Sequence, residues 1–415
     1  MSATTPFVGT RVFSNLRDTI AAIDTRDSTA IGLCLPLPNI SAADNGKIPM
    51  DEPFRISMDD AATIAMLGPG LAQDTINQIA SEGIIADIAF SRVAAKTDLE
   101  QQIAAIVGSA SQKTGMFALL EAKDQLKLEP GALLAPGHTS QRIGGAKNPV
   151  AMAMDTVATQ IIDCIAYVDA PSTSREAAAA YAADFATSLN VVAMYPAARV
   201  YLEGQDVVRP LSPHVAAATV RRDKEVGNPF KSAWNRPLLG VRGPSQRVTY
   251  RDGDTTSDAN YLCQNGLGTI IEGNLLWAPY TTATDPTVRA YRQIKRIRTR
   301  RSIEKAMLRA LRQYLSEDVG PHLVQLLARS LAEACEERKA LGAIIDFQIV
   351  YSKSLNPGTF LRDGGLRLKL RFEETPGLTD LQIYTEPQPE AFDVLSAAIA
   401  ASLQTLGGIN VVATD

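Results

Sequence analysis

The stretch from Cys164 to Leu202, CIAYVDAPSTSREAAAAYAADFATSLNVVAMYPAARVYL, carries the reading on which the fold rests. It opens on an apolar run, CIAYVDAP, that reads as a strand. Ser172 to Ser188 follows as a capped, Ala-rich helix, and NVVAMYPAARVYL is a second strand. Two strands joined through a helix of this length pair in parallel, because a parallel connection needs a crossover of a dozen or more residues.

The same alternation extends in both directions. Upstream, Thr29 to Pro38 (TAIGLCLPLP) reads as a buried strand stopped by Pro36 and Pro38. FRISMDDAATIAM is a strand entering a helix, with Ser57 as N-cap and Asp59 and Asp60 in the first turn. Helices are expected at Leu71 to Ser81, Thr97 to Val107 (Thr97 as cap, Glu100 at the capping-box position), Lys113 to Leu126 and Val150 to Asp163. Strands are expected at Ile84 to Val93 and Ala132 to Ala135. Downstream, Ser212 to Val226 is a helix. Residues 228–283 are Gly-, Pro- and Asn-rich, and QRVTYRDGD reads as a hairpin fragment with DG at its turn. The whole is an α/β body over 29–283 with a largely parallel sheet.

Beyond it the character changes. An α+β C-terminal module is expected over 284–388: a strand within Arg289 to Arg298, a helix from Arg300 to Leu315, and a break at Val319–Gly320–Pro321. A long helix then runs from His322 to Leu341, closed by Gly342, and strands follow at AIIDFQIVY, LRLKLRF and DLQIYTE. Leu366, Leu368, Leu370 and Phe372 alternate with Arg367, Lys369 and Arg371, the pattern of a sheet with one buried and one cationic, wet face. Residues 1–28 form an N-terminal arm and 389–415 a C-terminal helix and strand arm. Each arm carries a β-prone piece without a local partner: Phe7, Val8, Val12 and Phe13 at the start, Ile409, Val411 and Val412 at the end. An orphan strand is a pairing hazard unless it joins another chain's sheet.

Arg289 to Arg312 (RAYRQIKRIRTRRSIEKAMLRALR) concentrates ten of the 41 basic residues and one of the 45 acidic ones, leaving 31 against 44 elsewhere. Ile303, Met307, Leu308, Leu311 and Leu315 share one side of a helix; Arg301, Lys305, Arg309 and Arg312 share the other, with Arg298 one turn earlier. A solvated face ordinarily alternates sign, because like charges at i, i+4 oppose a helix. Cations stacked on cations on an acidic body therefore read as a binding face for an acidic partner.

Catalytic and metal signatures are absent from the text. The four cysteines, Cys34, Cys164, Cys263 and Cys335, form no CxxC pair and have no His at ligand spacing, so no metal or cofactor is expected; they read as buried thiols, with oxidation between subunits as the redox alternative. No run reaches a membrane span, and MSATTPFVGTRVFSN has no secretory pattern. GxSxG, HExxH and P-loop patterns are missing. His138, after the Pro136–Gly137 turn at a strand's carboxyl end, is the one position where an α/β enzyme would hold a ligand. His214 and His322 fall in first turns of helices.

Several stretches together resemble contractile tail sheath proteins of the phage and R-type pyocin kind: ALLAPGHTSQ, VATQIIDCIAYVDAPSTSREAAAAYAADF, DANYLCQNGLGTIIEGNLLWAPYTT and the closing ALGAIIDFQIVY. The resemblance runs from about Thr29 to Glu386. The family's aromatic-x-Ser-Pro-x-Asn stretch stands here as Phe230–Lys231–Ser232–Ala233–Trp234–Asn235, before Leu239–Gly240–Val241. Its Trp-Gly-x-Arg-Thr stands as Trp277–Ala278–Pro279–Tyr280–Thr281. The resemblance implies a subtilisin-like α/β body without the protease triad and a C-terminal module facing an inner tail tube. It also implies arms that pair with neighbouring subunits in a helical homo-oligomer of stacked rings, with a baseplate and a tail terminator as further partners. The place so implied is a virion tail assembled in the cytoplasm of a bacterial host. Two other readings compete: an α/β enzyme with a site near His138, and a nucleic-acid binder using Arg289 to Arg312. The second fits poorly with a pI near 5.6 and with few aromatics beside those cations.

Overall fold

A computed structural model of the chain describes residues 29–202 and 204–404. The arm positions Phe7, Val8, Val12, Phe13, Ile409, Val411 and Val412 lie outside them. In chain order the strands are β1 (Ile31–Pro36), β2 (Pro53–Ser57), β3 (Asp87–Val93), β4 (Ala132–Leu134), β5 (Ile165–Asp169), β6 (Val191–Met194), β7 (Ala198–Leu202), β8 (Gln205–Arg209), β9 (Gly243–Pro244), β10 (Leu267–Ile271), β11 (Leu275–Trp277), β12 (Ile344–Val350) and β13 (Lys369–Glu374). The helices are α1 (Ala61–Met66), α2 (Leu71–Ser81), α3 (Leu99–Val107), α4 (Ala122–Leu126), α5 (Pro149–Ile161), α6 (Arg175–Ala183), α7 (Ser212–Val226), α8 (Asp258–Gln264), α9 (Ile294–Ala310), α10 (Pro321–Ala340), α11 (Gly358–Arg362) and α12 (Ala391–Gln404).

Apolar strands without a polar side must be covered on both faces, and that requirement organises the chain. Eight strands join in the order β11-β10-β6-β5-β4-β1-β3-β2. The six central ones run parallel; β2 and β11 close the two edges antiparallel. Side chains alternate between two cores. Ile31, Leu33 and Leu35 of β1, with Ile165 and Tyr167 of β5, meet α2 and α7 through Ile76, Ile79 and Val215. Cys34, Leu133, Ala166 and Val168 face the other way, onto α3, α5 and α6. Each fully buried Leu or Ile contributes about 1.5–3 kcal/mol, so the two clusters hold the sheet between helix layers.

Caps set the helix entries. Asn148 Oδ1 accepts from Ala151 N and Pro149 takes the first helical position of α5; Ser174 caps α6. Two expected caps shift. Asp98, rather than Thr97, caps α3 by accepting from Gln101 N. Asp60, rather than Ser57, caps α1. In both cases a carboxylate nearer the helix start outcompetes a hydroxyl.

Other expectations are revised. Lys113 to Leu126 is a 3-10 stretch, Gly115–Glu121, running into the short α4. NVVAMYPAARVYL divides into β6 and β7, with the Tyr195–Pro196 peptide bond, which is cis, between them. No strand lies between residues 245 and 257, so the QRVTYRDGD hairpin does not form; Gly253, at φ 76°, turns the chain there without a ladder. The strand expected within Arg289 to Arg298 is instead a 3-10 turn, Arg289–Tyr291, followed by the start of α9: Ile294 and Ile297, three apart, share its buried side.

β12 and β13 pair antiparallel, and β13 alternates outward Lys369, Arg371 and Glu373 with inward-leaning Leu370 and Phe372. α10 ends where Gly342 takes φ 68°. Contacts divide the chain after Gly377, so residues up to there form one unit together with α9, α10 and the β12–β13 pair. The second unit, among the described residues, is α12 preceded by chain without strand structure, including DLQIYTE, whose Leu381, Ile383 and Tyr384 are exposed.

Candidate functional site

The basic helix is the element to build from. α9 begins after Gln293, which is extended and exchanges two hydrogen bonds with the backbone of Gly377, and it unwinds into a 3-10 turn at Leu311–Tyr314. Its buried positions include Ile294, Ile297, Ile303 and Ala306, and also Arg298 and Lys305. A helix that buries cations must bring acids to them, since an isolated charge away from water costs several kcal/mol.

The acids come from three separate elements. Asp223 of α7 meets Arg298 through two contacts, one at 3.0 Å between Nη1 and Oδ1, and both side chains are buried. Burial works against the Arg298 charge, but Asp223, with Tyr167 and Asp163 behind it, outweighs it and holds the guanidinium above its ordinary range. Glu129, just before β4, accepts from Arg309 and forms ion pairs with Lys305 at 3.4 Å and Lys123 at 3.6 Å. On the other flank Glu373 and the buried Glu374 of β13 take Arg296, and Glu374 also takes Arg300. Arg300 lies over the Phe372 ring at 4.5 Å. α9 is thereby strapped to the α/β body by one set of cations and to the β12–β13 pair by another.

Three of the five cations expected on one face turn to partners within the chain. Arg298, Lys305 and Arg309 are engaged within the chain and offer little charge outward. Arg301 and Arg312 differ: no hydrogen bond or ion pair reaches either side chain among the described residues. The apolar side is redrawn as well. Ile303 is buried and Met307 and Leu311 half-buried, but Leu308, within α9, is 60% exposed, and Leu315, beyond the helix end at Ala310, is 73% exposed. Toward solvent α9 and the turn after it present the half-buried Arg301 and the exposed Arg312, unpaired among the described residues, with the exposed Leu308 and Leu315 beside them.

The remaining candidates are placed as follows. Cys34, Cys164, Cys263 and Cys335 are buried free thiols, with burial the first cause that pushes each pKa up, to about 12 for Cys34 and Cys263 and about 11 for Cys335. His138 keeps a buried Nδ1 without a hydrogen-bond partner, and burial holds its pKa below the usual histidine range. Among the described residues, no nucleophile or carboxylate bonds to its ring. His214 is fully buried with Nδ1 2.9 Å from Glu82, whose carboxylate also accepts from Arg221 and from the Leu239 and Gly240 amides. That cluster ties α2, α7 and the 237–241 loop together and was invisible in the sequence, since its members stand far apart in it. The two aromatic motif stretches do meet: Trp234 and Trp277 pack edge-to-face with centroids 5.3 Å apart, while Phe230 is buried in a separate cluster with Ile303, Cys335 and Ile344.

Among the described residues, no three His, Cys, Asp or Glu stand as a metal site, and no helix is long and apolar enough to cross a membrane. No family model matches the chain. A prophage major tail sheath protein of Pseudomonas aeruginosa strain UCBPP-PA14 is 30% identical over 359 residues, covering 84% of this chain and 88% of that protein. The tail sheath protein of Burkholderia phage BcepMu is 27% identical, covering 79% of this chain and 72% of that protein. Among solved structures, the sheath of an extracellular contractile injection system, PVC, in its contracted state aligns at TM-score 0.67 and 12% identity, over 94% of this chain and all of that one. The helical sheath of the anti-feeding prophage, also contracted, aligns at 0.62 and 14% identity, over 94% of this chain and all of that one.

Proposed function

Because the chain belongs to the contractile tail sheath proteins, we propose that copies of it stack helically around an inner tail tube and contract to drive that tube through a host envelope. It serves as a structural subunit, not as a catalyst. The similarity to a sheath protein over 84% of the chain carries this reading. In a head-to-tail contact that does not close into a ring, identical subunits generate a helix, which is the geometry a sheath requires.

The finer assignments follow the physics of such an assembly. The α/β body is a subtilisin-like layer on the outside, and the module carrying α9, α10 and the β12–β13 pair faces the tube. Arg301 and Arg312 touch the tube, because they are the members of the expected cationic set that α9 leaves uncommitted. Exposed charge contacts are each worth under about 1 kcal/mol and are screened by salt, so contraction can surrender them one by one. The arm positions Phe7, Val8, Val12, Phe13, Ile409, Val411 and Val412 donate strands to neighbouring subunits and hold the mesh together while its pitch changes. The extended sheath is then a kinetically trapped state that releases free energy on contraction. Baseplate and tail terminator bound the assembly, which forms in the cytoplasm of a bacterial host.

Arg301→Glu with Arg312→Glu tests the tube-facing assignment. The double variant folds with unchanged thermal stability and fails to assemble sheath on tube. Sheathed tails of normal length from that variant would refute the assignment.

A further inference from the structure

Thr75 and Gln78 of α2 and Glu82 at its carboxyl end follow one another at spacings of three and four, so they share one side of the helix, and all three are buried. Two of them are satisfied within the fold. The Thr75 hydroxyl donates to the Leu71 carbonyl at 2.6 Å, and the Glu82 carboxylate takes Arg221, His214 and two loop amides. Gln78 differs. It is 6% exposed, yet among the described residues neither its Oε1 nor its Nε2 has a hydrogen-bond partner. His214 repeats the situation: Glu82 holds its Nδ1, but its buried Nε2 has no partner. Polar atoms are seldom left in this state, because removing them from water without a replacement bond costs stability.

Gln78 and His214 line the same cavity, of about 80 Å³, whose wall also includes Ser81, Val200 and Tyr201. It lies between α2, the start of α7 and β7. Gly240 lines it too, and a Cβ there would stand 2.9 Å from His214 Cε1, so that loop approaches by backbone alone.

Size and charge select the occupant. Clefts for organic ligands run to about 300–1,000 Å³, well above this volume. The ionised groups around it are already matched: Asp74 pairs with Arg209 at 3.3 Å and Glu82 with Arg221 at 3.0 Å. Neither an added anion nor an added cation is called for, and no metal cluster stands among the described residues. Water fits on both counts. At about 30 Å³ each, two or three molecules fill the space, and each needs two to four polar partners. Water also donates and accepts, which an amide offering both an acceptor and donors requires.

We propose that this cavity is a binding site for about two or three ordered waters, which bridge the Gln78 amide to His214 Nε2. The bridge joins α2 to α7 through the ring nitrogen that Glu82 does not hold, and it is what makes the burial of Gln78 tenable. It stands independently of the sheath assignment.

A density map of the full-length protein that resolves waters, from crystals of the subunit or from its assembled form, tests the site. Peaks should stand in the cavity within about 3.2 Å of a Gln78 amide atom and of His214 Nε2. In Gln78→Met, which keeps the length of the side chain and removes its hydrogen bonds, the peak beside position 78 should vanish while α2 and α7 stay in place. NMR reads the same site in solution: the Gln78 side-chain NH2 protons of the unmodified protein should cross-relax with water in the sense of a slowly exchanging molecule. A cavity without peaks, one filled by an ion, an organic molecule or a side chain of a neighbouring subunit, or a freely exchanging water at Gln78 overturns the proposal. So does a peak unchanged in Gln78→Met. If that variant does not fold, the map and the cross-relaxation of the unmodified protein decide.

Discussion

Asp223 and Arg298 form an ion pair shielded from water on both sides, and its worth lies in what happens when it is broken. Asp223→Ala leaves a guanidinium buried without its partner, which costs about 3–5 kcal/mol. Urea unfolding of the variant should show that loss, while replacing both residues by apolar ones of similar volume should recover most of it. The cysteines make a second residue-scale case. Burial holds each thiol neutral, with Cys34 and Cys263 near 12 and Cys335 near 11 against a reference of 9.0. A raised thiol pKa contributes stability that is complete below the unfolded value and lost as pH rises through the folded one. The protein should therefore lose stability progressively between about pH 9 and 12. At pH 8 a thiol reagent should label no cysteine in the folded chain and all four in denaturant; rapid labelling of the folded chain would contradict their burial.

At the scale of elements, α9 separates two kinds of cation that composition makes look alike. Lys305→Glu sets a new carboxylate against Glu129, removes one of its partners and should lower stability by several kcal/mol, on the order of a broken buried pair. Arg301→Glu should leave the melting temperature unchanged. Equal effects on stability would mean that the inward and outward assignments are wrong. Asn148 shows the same dependence on context. Its Oδ1 caps α5 and its Nδ2 donates to the His138 and Gln141 carbonyls. Asn148→Ala should cost about 2–4 kcal/mol, a cap plus two orphaned acceptors. Much of this scale was legible beforehand. Apolar runs between capped helices located β1, β3, β5 and β6, and Gly342 marked the end of α10. Periodicity failed where partners are distant in sequence. Nothing in Arg298 or Lys305 announces that Asp223 and Glu129 stand 75 and 176 positions upstream, so a buried strap read as a surface face. The segments QRVTYRDGD and DLQIYTE have strand propensity, but propensity without a cross-strand neighbour makes no ladder.

For the whole molecule, strand–helix alternation determined the doubly covered sheet, because a strand apolar on both faces has no stable alternative to burial. The functional class came from the order of several modest motifs across nearly the full chain, two of which the fold brings together at Trp234 and Trp277. Which side chains face a partner is a property of the assembly, and a single subunit's sequence encodes it only through what its own fold leaves unpaired. The arms belong to this scale. Deletion of residues 409–415 should yield a folded, soluble protein that sediments as a monomer and does not polymerise; sheaths formed by the truncated chain would show that this arm donates no strand.

The claim on which the rest depends is that this chain polymerises as a sheath, and electron microscopy of the purified protein, alone and mixed with its tube protein, tests it most directly. Hollow cylinders with a regular helical striation are the predicted result, wider than any tube they enclose. Dispersed particles at every protein concentration, with tube present as well as without, would contradict it.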